Sequence, residues 1–388
     1  MHRKNLASTC VGLISSMVLL VAAVLCGNVL RAAEPEMRGL WVWGPQLGLL
    51  KTRAAADKCV AQVDAAHLNA IFLLVWCENS DRVCYHSDLC PLIEGLEPDY
   101  DPLGYMIQEC HRRGIEVHAW YVNGERSRKA LAKHPDWAVQ SGDSAGPGWY
   151  DFGKPEVRKF ESDLMLEALR KYDLDGLHFD YIRYSGRVVC YCKHCQDEFA
   201  ARYGFQPRYA PPRADAKLDA QQEQRRAEKW AEYRKDTVTE LVRDVYRRAK
   251  RAKPKAQITA AVFTPLAAAG NVYQDWPRWL REGIIDFVIP MAYTADNHAL
   301  ARQIREWKTI DPRLERIVPG LALFQDMAPP VIGRRPQQVL AQHQLCLDQG
   351  ARGNVYFWYG ALDQPISAAL VGKYYAAKVS PYHPPARH

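Results

Sequence analysis

Short apolar runs alternate along this chain with longer amphipathic stretches. Eight runs are rich in β-branched or aromatic residues and short enough to be strands: Arg38–Trp43, Ala70–Trp76, Glu116–Val122, Gly176–Ile182, Gln257–Phe263, Phe287–Ala292, Ile317–Leu323 and Gly353–Trp358. Helical periodicity occupies Thr52–His67, Pro102–Arg113, Pro155–Tyr172, Trp276–Glu282, Leu300–Thr309 and Pro336–Gln349. Gly114, Gly283 and Gly350 stand where three of these helices should stop. Strands alternating with helices predict an α/β fold with a parallel sheet, and eight repeats predict a closed (β/α)8 TIM barrel. An open doubly wound sheet would have fewer strands and a Gly-rich first turn, which is missing here. A barrel needs about 250 residues, so the 388 of this chain fit one barrel with additions.

The largest addition follows the fourth strand. Residues 185–230 read as a loop or insertion that carries clustered cysteines and the proline-rich Pro207–Pro212. A highly charged helical run from about Asp215 to Lys253 then reads as a long fourth helix outside the barrel. The barrel domain is predicted over 34–379, and the Pro- and His-rich tail Ser380–His388 is expected to be loose.

The first 33 residues read as an export signal. His2, Arg3 and Lys4 precede an apolar run from Val11 to Leu30, and Ala32 and Ala33 offer small residues for cleavage before Glu34. Cleavage is the expectation, with retention as an N-terminal membrane anchor the alternative, because the run is long enough to span. The mature chain is then expected in the periplasm, in the cell envelope or outside the cell. The net charge of +7 drops to +4 without Arg3, Lys4 and Arg31. That excess is mild and spread out, which argues against a nucleic-acid partner.

Nine cysteines lie beyond the signal: Cys59, Cys77, Cys84, Cys90, Cys110, Cys190, Cys192, Cys195 and Cys346. Export permits disulfides. Cys190, Cys192 and Cys195, with His194, form a compact group, read as a local disulfide staple near the barrel mouth. A metal knuckle needs four ligands, and no second half is visible, so no metal or other cofactor is assigned. Cys59, Cys110 and Cys346 fall in helical segments and read as buried apolar residues.

Several blocks recur in a recognisable order. They are Arg38-Gly39-Leu40-Trp41-Val42, Asp101-Pro102-Leu103, His111-Arg112-Arg113-Gly114 with His118-Ala119-Trp120, Tyr172 to Tyr181, Gln274-Asp275-Trp276, and Asp286 to Thr294. With these blocks the chain from Arg38 to about Leu362 resembles the glycosyl hydrolase-like 10 family of bacterial envelope proteins. The resemblance implies a barrel with a glycosidase-type cleft, and a cell-wall glycan as a plausible substrate.

The residues support that reading on their own. Barrel active sites lie at the C-terminal ends of the strands. Asp180 ends the fourth strand inside an apolar run, where a carboxylate is costly unless it has a partner or a task. It is the leading catalytic candidate, with a structural ion pair to Arg183 as the competing role. Glycoside cleavage normally uses two carboxylates. Asp296, after the sixth strand, is taken as the second; Glu78, Glu125 and Asp326 are read as solvated loop residues. Asp175 and Asp286 begin strands, at the wrong end for catalysis, and read as caps or ion-pair members. Trp43, Trp76, Trp120, Tyr293 and Trp358 near the strand ends are candidates to stack on sugar faces, with His178 and Arg183 as polar members of the cleft. The expected activity is therefore hydrolysis of a polysaccharide. A non-catalytic glycan-binding barrel is the alternative.

Overall fold

A computed structural model describes residues 34–43, 48–76, 81–141, 144–187, 190–207, 219–327 and 331–385. The predicted export segment, Cys77 and Glu78 lie outside the described residues. Among those described, no helix is long and apolar enough to cross a membrane.

The strands in chain order are β1 (Met37–Val42), β2 (Ala70–Trp76), β3 (Glu116–Val122), β4 (Ala138–Ser141), β5 (Ser144–Tyr150), β6 (Gly176–Asp180), β7 (Gln257–Val262), β8 (Phe287–Ala292), β9 (Gly320–Ala322), β10 (Phe324–Asp326), β11 (Ile332–Gly333) and β12 (Gly353–Phe357). Eight of them close into a barrel in the order β1-β12-β9-β8-β7-β6-β3-β2, and every pairing is parallel. This is the predicted (β/α)8 barrel. β2, β3 and β8 coincide residue for residue with the apolar runs. β9 is shorter than its run because Pro319, at its entry, has no N–H to give to the ladder. All seven residues of β2 are buried. A parallel strand covered on both faces must be apolar throughout, which is why the runs were continuous rather than alternating.

The helices begin where side chains satisfy their free N–H groups. Thr52 caps Arg53–Ala65, Asp101 caps Pro102–His111 and Asp363 caps Gln364–Lys373. Gly114, Gly283 and Gly350 all take positive φ, as their placement after helices requires. Between β6 and β7 lie a helix Lys193–Tyr203 and the 33-residue helix Ala220–Ala252, which opens with an Asp219–Gln222 capping box. The long helix lies against the helix Pro155–Lys171, held by Ser162–Asp244 and Arg248–Asp163. The antiparallel hairpin β4–β5 between the third and fourth barrel strands was not anticipated.

The foot of the barrel is tied by polar side chains. Asp175 accepts from Val117 N (2.8 Å) and meets His111, and Asp286 accepts from Ile258 N (2.6 Å) and pairs with Lys250, as their strand-start positions suggested. The tail is described as far as Pro385: Glu36 N donates to Ser380 O, Tyr382 OH donates to Glu315 O (3.2 Å), and His383 pairs with Glu116 (2.9 Å). A cavity of about 1140 Å³ lies under that tail, among Lys250, Lys253, Glu116 and Asp286. It is at the N-terminal ends of the strands, away from the face that barrels use for chemistry.

Candidate active site

Inside the barrel the side chains form two polar-aromatic levels. The lower one contains Phe72, His118 and His178, with Phe72 4.7 Å from each imidazole. His178 is fully buried and both its nitrogens are engaged. Trp41 Nε1 donates to Nε2 (3.0 Å), and Nδ1 meets Thr259 Oγ1 (2.8 Å). Because the indole can only donate, Nε2 carries the lone pair and Nδ1 the proton. Burial and the neighbouring His118 hold its pKa well below the usual histidine range. The ring is therefore neutral, with no atom free for a sugar. This corrects its place among the substrate-binding candidates: it is a support beneath the acid.

Directly above, Asp180 closes β6. It is 5% exposed. Its Oδ1 accepts from Tyr181 N (2.7 Å), its Oδ2 accepts from Trp120 Nε1 (3.2 Å), and Arg183 Nη1 lies 3.9 Å from Oδ1. Tyr181 adopts φ 51°, a left-handed conformation that costs a non-glycine residue about 1–2 kcal/mol. That turn brings the chain back over the strand end so that Arg183 faces the carboxylate it follows by three residues. Strain of this kind concentrates at functional sites.

The Arg183 guanidinium is held between rings. Its centre is 4.1 Å from Tyr181, 4.2 Å from Phe263 and 5.8 Å from Trp149. Burial pushes its pKa down, and the charges of Asp180, Tyr181 and Glu125 pull it back up. The Glu125 charge thus acts on the guanidinium that faces Asp180. The backbone explains why: Asn123 N donates to Asp180 O and Gly124 N to Tyr181 O, so the end of β3 runs beside the end of β6. Glu125 is half-buried there and bridges to Trp149 of the hairpin.

Asp296 takes a different position. It is the N-cap of the helix Asn297–Lys308, accepts from His298 N (2.8 Å), and its side chain is 55% exposed. Capping accounts for an aspartate at that place without chemistry. Asp326 is also exposed, on β10.

The aromatic candidates divide in two. Trp43 and Tyr293 are half-exposed at the mouth. Burial, with Asp180 and Tyr181 nearby, holds the Tyr293 phenol well above its ordinary pKa, so it stays a neutral donor. Trp120 is buried and acts on Asp180 rather than on a ligand. Trp76 is buried in the outer layer, its ring stacked 3.3 Å from the Arg126 guanidinium, and Trp358 packs behind Phe324 and Phe357. Neither presents a face to the cleft, which corrects their listing as sugar platforms. A register shift between Leu74 and Trp76 explains Trp76: alternation from Phe72 would aim it inward, but past the shift it pairs with outward-facing Tyr121, while Trp120 points in.

The ring that sequence reasoning missed is Phe357. It is half-exposed and has Trp41, Trp43, Trp120, Tyr293, Phe324 and Trp358 within 6.4 Å, centroid to centroid. Phe263 was missed too. Phe357 ends β12 and Phe263 directly follows β7, a signal that was available. The result is a bowl of half-open rings around one buried carboxylate and one buried guanidinium.

Known proteins share this architecture. The chain is 24% identical to the glycosyl hydrolase YngK of Bacillus subtilis over 303 residues, which is 67% of this chain and 54% of YngK. It therefore spans about half of that relative's length. It is 24% identical to the glycosyl hydrolase DigH of Escherichia coli over 354 residues, 76% of this chain and 74% of DigH. Among solved structures it is similar to the PgaB (BpsB) glycoside hydrolase domain of Bordetella bronchiseptica, with TM-score 0.65 and 14% identity over 87% of this chain and 98% of that one. A Bacillus circulans β-galactosidase superposes with TM-score 0.59 at 14% identity, over 84% and 50% of the two chains. At those identities the structural likeness carries the fold alone. The family model of glycosyl hydrolase-like 10 matches residues 36–331, more than half of the chain, and the protein belongs to that family.

Proposed function

We propose that this protein is a glycoside hydrolase that cleaves a polysaccharide at the C-terminal mouth of the barrel, with Asp180 as its ionised carboxylate. One observation carries the reading: a buried aspartate at the end of the fourth barrel strand is held by two N–H donors and an arginine, below a bowl of partly open rings. The donors and the cation favour the charged form, which suits a nucleophile, a base or a stabiliser of a developing oxocarbenium charge, rather than an acid. Aromatic faces suit the C–H faces of pyranose rings, and Arg183 also restrains Asp180 from one side.

The second carboxylate in this proposal is Glu125 and not Asp296. Glu125 acts on the same guanidinium as Asp180, whereas Asp296 is committed to a helix N-terminus. Glu125 would protonate the leaving oxygen. A bacterial cell-wall glycan is the proposed substrate class, on the family membership together with an N-terminus that reads as an export signal.

The test is release of reducing ends from a panel of polysaccharides that includes peptide-free peptidoglycan strands. Wild-type protein is expected to release them and Asp180→Asn is not. Glycan binding with no release by the wild type would establish the non-catalytic alternative.

A further inference from the structure

Outside the cleft, the structure gathers four acidic side chains into one buried group. Asp151, Cys190, Cys192 and Cys195 are all buried, and one ligand atom from each lies within 4.8 Å of every other. The three cysteines were expected to form a disulfide staple, with no fourth metal ligand in sight. All three are instead free thiols, and the fourth ligand comes from 39 residues upstream of Cys190. We propose that these four residues form a closed, mononuclear metal site that takes zinc.

The donor set comes first. Three sulfurs and one carboxylate oxygen match the thiolate-rich, four-coordinate sites zinc prefers. A zinc tetrahedron with Zn–S bonds of about 2.3 Å has sulfur–sulfur edges of about 3.8 Å, within the observed span. A group this tight leaves room for one ion and none for a multi-iron cluster. Asp151 Oδ2 lies 3.1 Å from Cys190 Sγ, 3.1 Å from Cys192 Sγ and 3.3 Å from Cys195 Sγ, so the carboxylate faces all three sulfurs at once.

The surroundings then favour thiolates. Gln140 N (3.1 Å) and Cys192 N (3.4 Å) donate to Cys190 Sγ, and Cys195 N donates to Cys192 Sγ (3.4 Å). Cys192 is the N-cap of the 11-residue helix Lys193–Tyr203, which adds the positive end of a helix dipole. Asp151 Oδ1 takes its remaining bond from Gly153 N (3.0 Å). No lysine or arginine pairs with Asp151 among the described residues. As thiolates and carboxylate, these four would be costly in a dry pocket unless a cation joined them. Gly153 completes the fit, since a Cβ there would run into Cys195 Sγ.

Position gives the site its role. Asp151 directly follows the hairpin strand β5, and the cysteines follow the segment that carries Asp180 and Arg183. The hairpin meets that segment again through Trp149, whose indole N–H donates to Arg183 O (2.6 Å). The metal fastens the hairpin to the wall of the candidate cleft. With four protein ligands and no open position it is structural and not catalytic.

The experiment uses the full chain, produced without a histidine tag and purified without chelator. Metal analysis is expected to find one zinc per chain, with three thiols shielded from a thiol reagent until a chelator is added. Removing zinc under reductant and adding Co2+ is expected to give the strong visible absorption of a tetrahedral thiolate complex. Asp151→Ala and Cys192→Ser should lose the metal, whereas Cys110→Ala should keep it. Asp151→Cys, which offers a fourth sulfur, should retain zinc, an outcome that a carboxylate serving only as a hydrogen-bond acceptor would not give. If Asp151→Ala does not fold, wild type and Asp151→Cys still decide the matter. Substoichiometric zinc with no zinc protection of the thiols, or a disulfide within Cys190, Cys192 and Cys195 in a non-reducing peptide map, would overturn the proposal.

Discussion

Replacing Asp180 by Asn separates chemistry from architecture, because the two roles of this carboxylate have different magnitudes. The amide keeps the shape, but its single oxygen can accept from only one of Tyr181 N and Trp120 Nε1, and it cannot serve as nucleophile, base or acid. Loss of a catalytic carboxylate typically removes at least about three powers of ten in rate, or about 4 kcal/mol of transition-state stabilisation. The substitution also strips a counter-charge from buried Arg183. Two unit charges 3.9 Å apart interact by about 4 kcal/mol at an effective dielectric of about 20. The stacked rings and Glu125 retain part of that, which leaves a destabilisation of about 2–4 kcal/mol. In a barrel of this size each kcal/mol moves Tm by about 1–2 °C, so Asp180→Asn should melt roughly 3–6 °C lower. The assay is therefore paired: Tm by calorimetry, and turnover per folded molecule well below that Tm. The double variant Asp180→Asn, Arg183→Met removes the unpaired charge and should recover most of the Tm while staying inactive. If Asp180→Asn retains near-native turnover, or if the double variant regains activity along with stability, Asp180 is an ion-pair member and the assignment of the site fails.

Glu125→Gln should slow hydrolysis of glycosides with poor leaving groups far more than that of activated aryl glycosides, which need no proton; equal slowing of both would remove Glu125 from the acid role. Glu161, fully buried and hydrogen-bonded to Asn123, has its carboxyl pushed up to about 8 by burial. A raised carboxyl stabilises the fold below its ordinary value of 4.5 and loses that contribution as pH climbs through 8, by up to about 1.4 kcal/mol per unit. Melting curves from about pH 5 to 9 should thus fall more steeply for wild type than for Glu161→Gln, and parallel curves would refute the buried neutral acid. His178 should show the Nδ1–H tautomer by nitrogen NMR, unchanged from about pH 8 down to 5, and Trp41→Phe should cost about 1–3 kcal/mol by leaving Nε2 unpartnered; a titrating ring would contradict this.

The barrel was legible because parallel strands buried on both faces are apolar runs, and runs such as Ala70–Trp76 have no other explanation. Asp180 was legible for the converse reason: a charge inside such a run needs a cause. What failed to show were pairings made across the fold. Asp296 and Glu125 both follow strands, and nothing local reveals that one caps a helix while the charge of the other bears on Arg183. Trp76 and Trp120 both lie near strand ends, yet a shift of one position in the pleat sends one outward and the other to the carboxylate. The triad of cysteines was visible as spacing, but its fourth partner, Asp151, sits after a hairpin whose existence no periodicity announced. The tail gave no periodicity to read, and its contacts, Ser380 O with Glu36 N and His383 with Glu116, are made across the fold.

The closure of the barrel sets an order on how the molecule comes into being. β1 has β2 beside it early, but its other edge waits for β12, with Met37 opposite Gly353 and Trp41 opposite Phe357. Arg38 likewise reaches Ala377 O, 339 residues further along. Until the last strand leaves the ribosome, the first one carries an open, apolar hydrogen-bonding edge, the kind that recruits other chains. The aromatic bowl is unfinished for the same interval, because Phe357 is its centre. Loop-closure entropy over nearly the whole chain has to be met to make this one pairing, whereas the other barrel pairings join consecutive strands of the barrel. Its shortest-lived hazard is thus a half-made ring, and a chaperone that shields β1 would act on the one edge that a completed barrel no longer has.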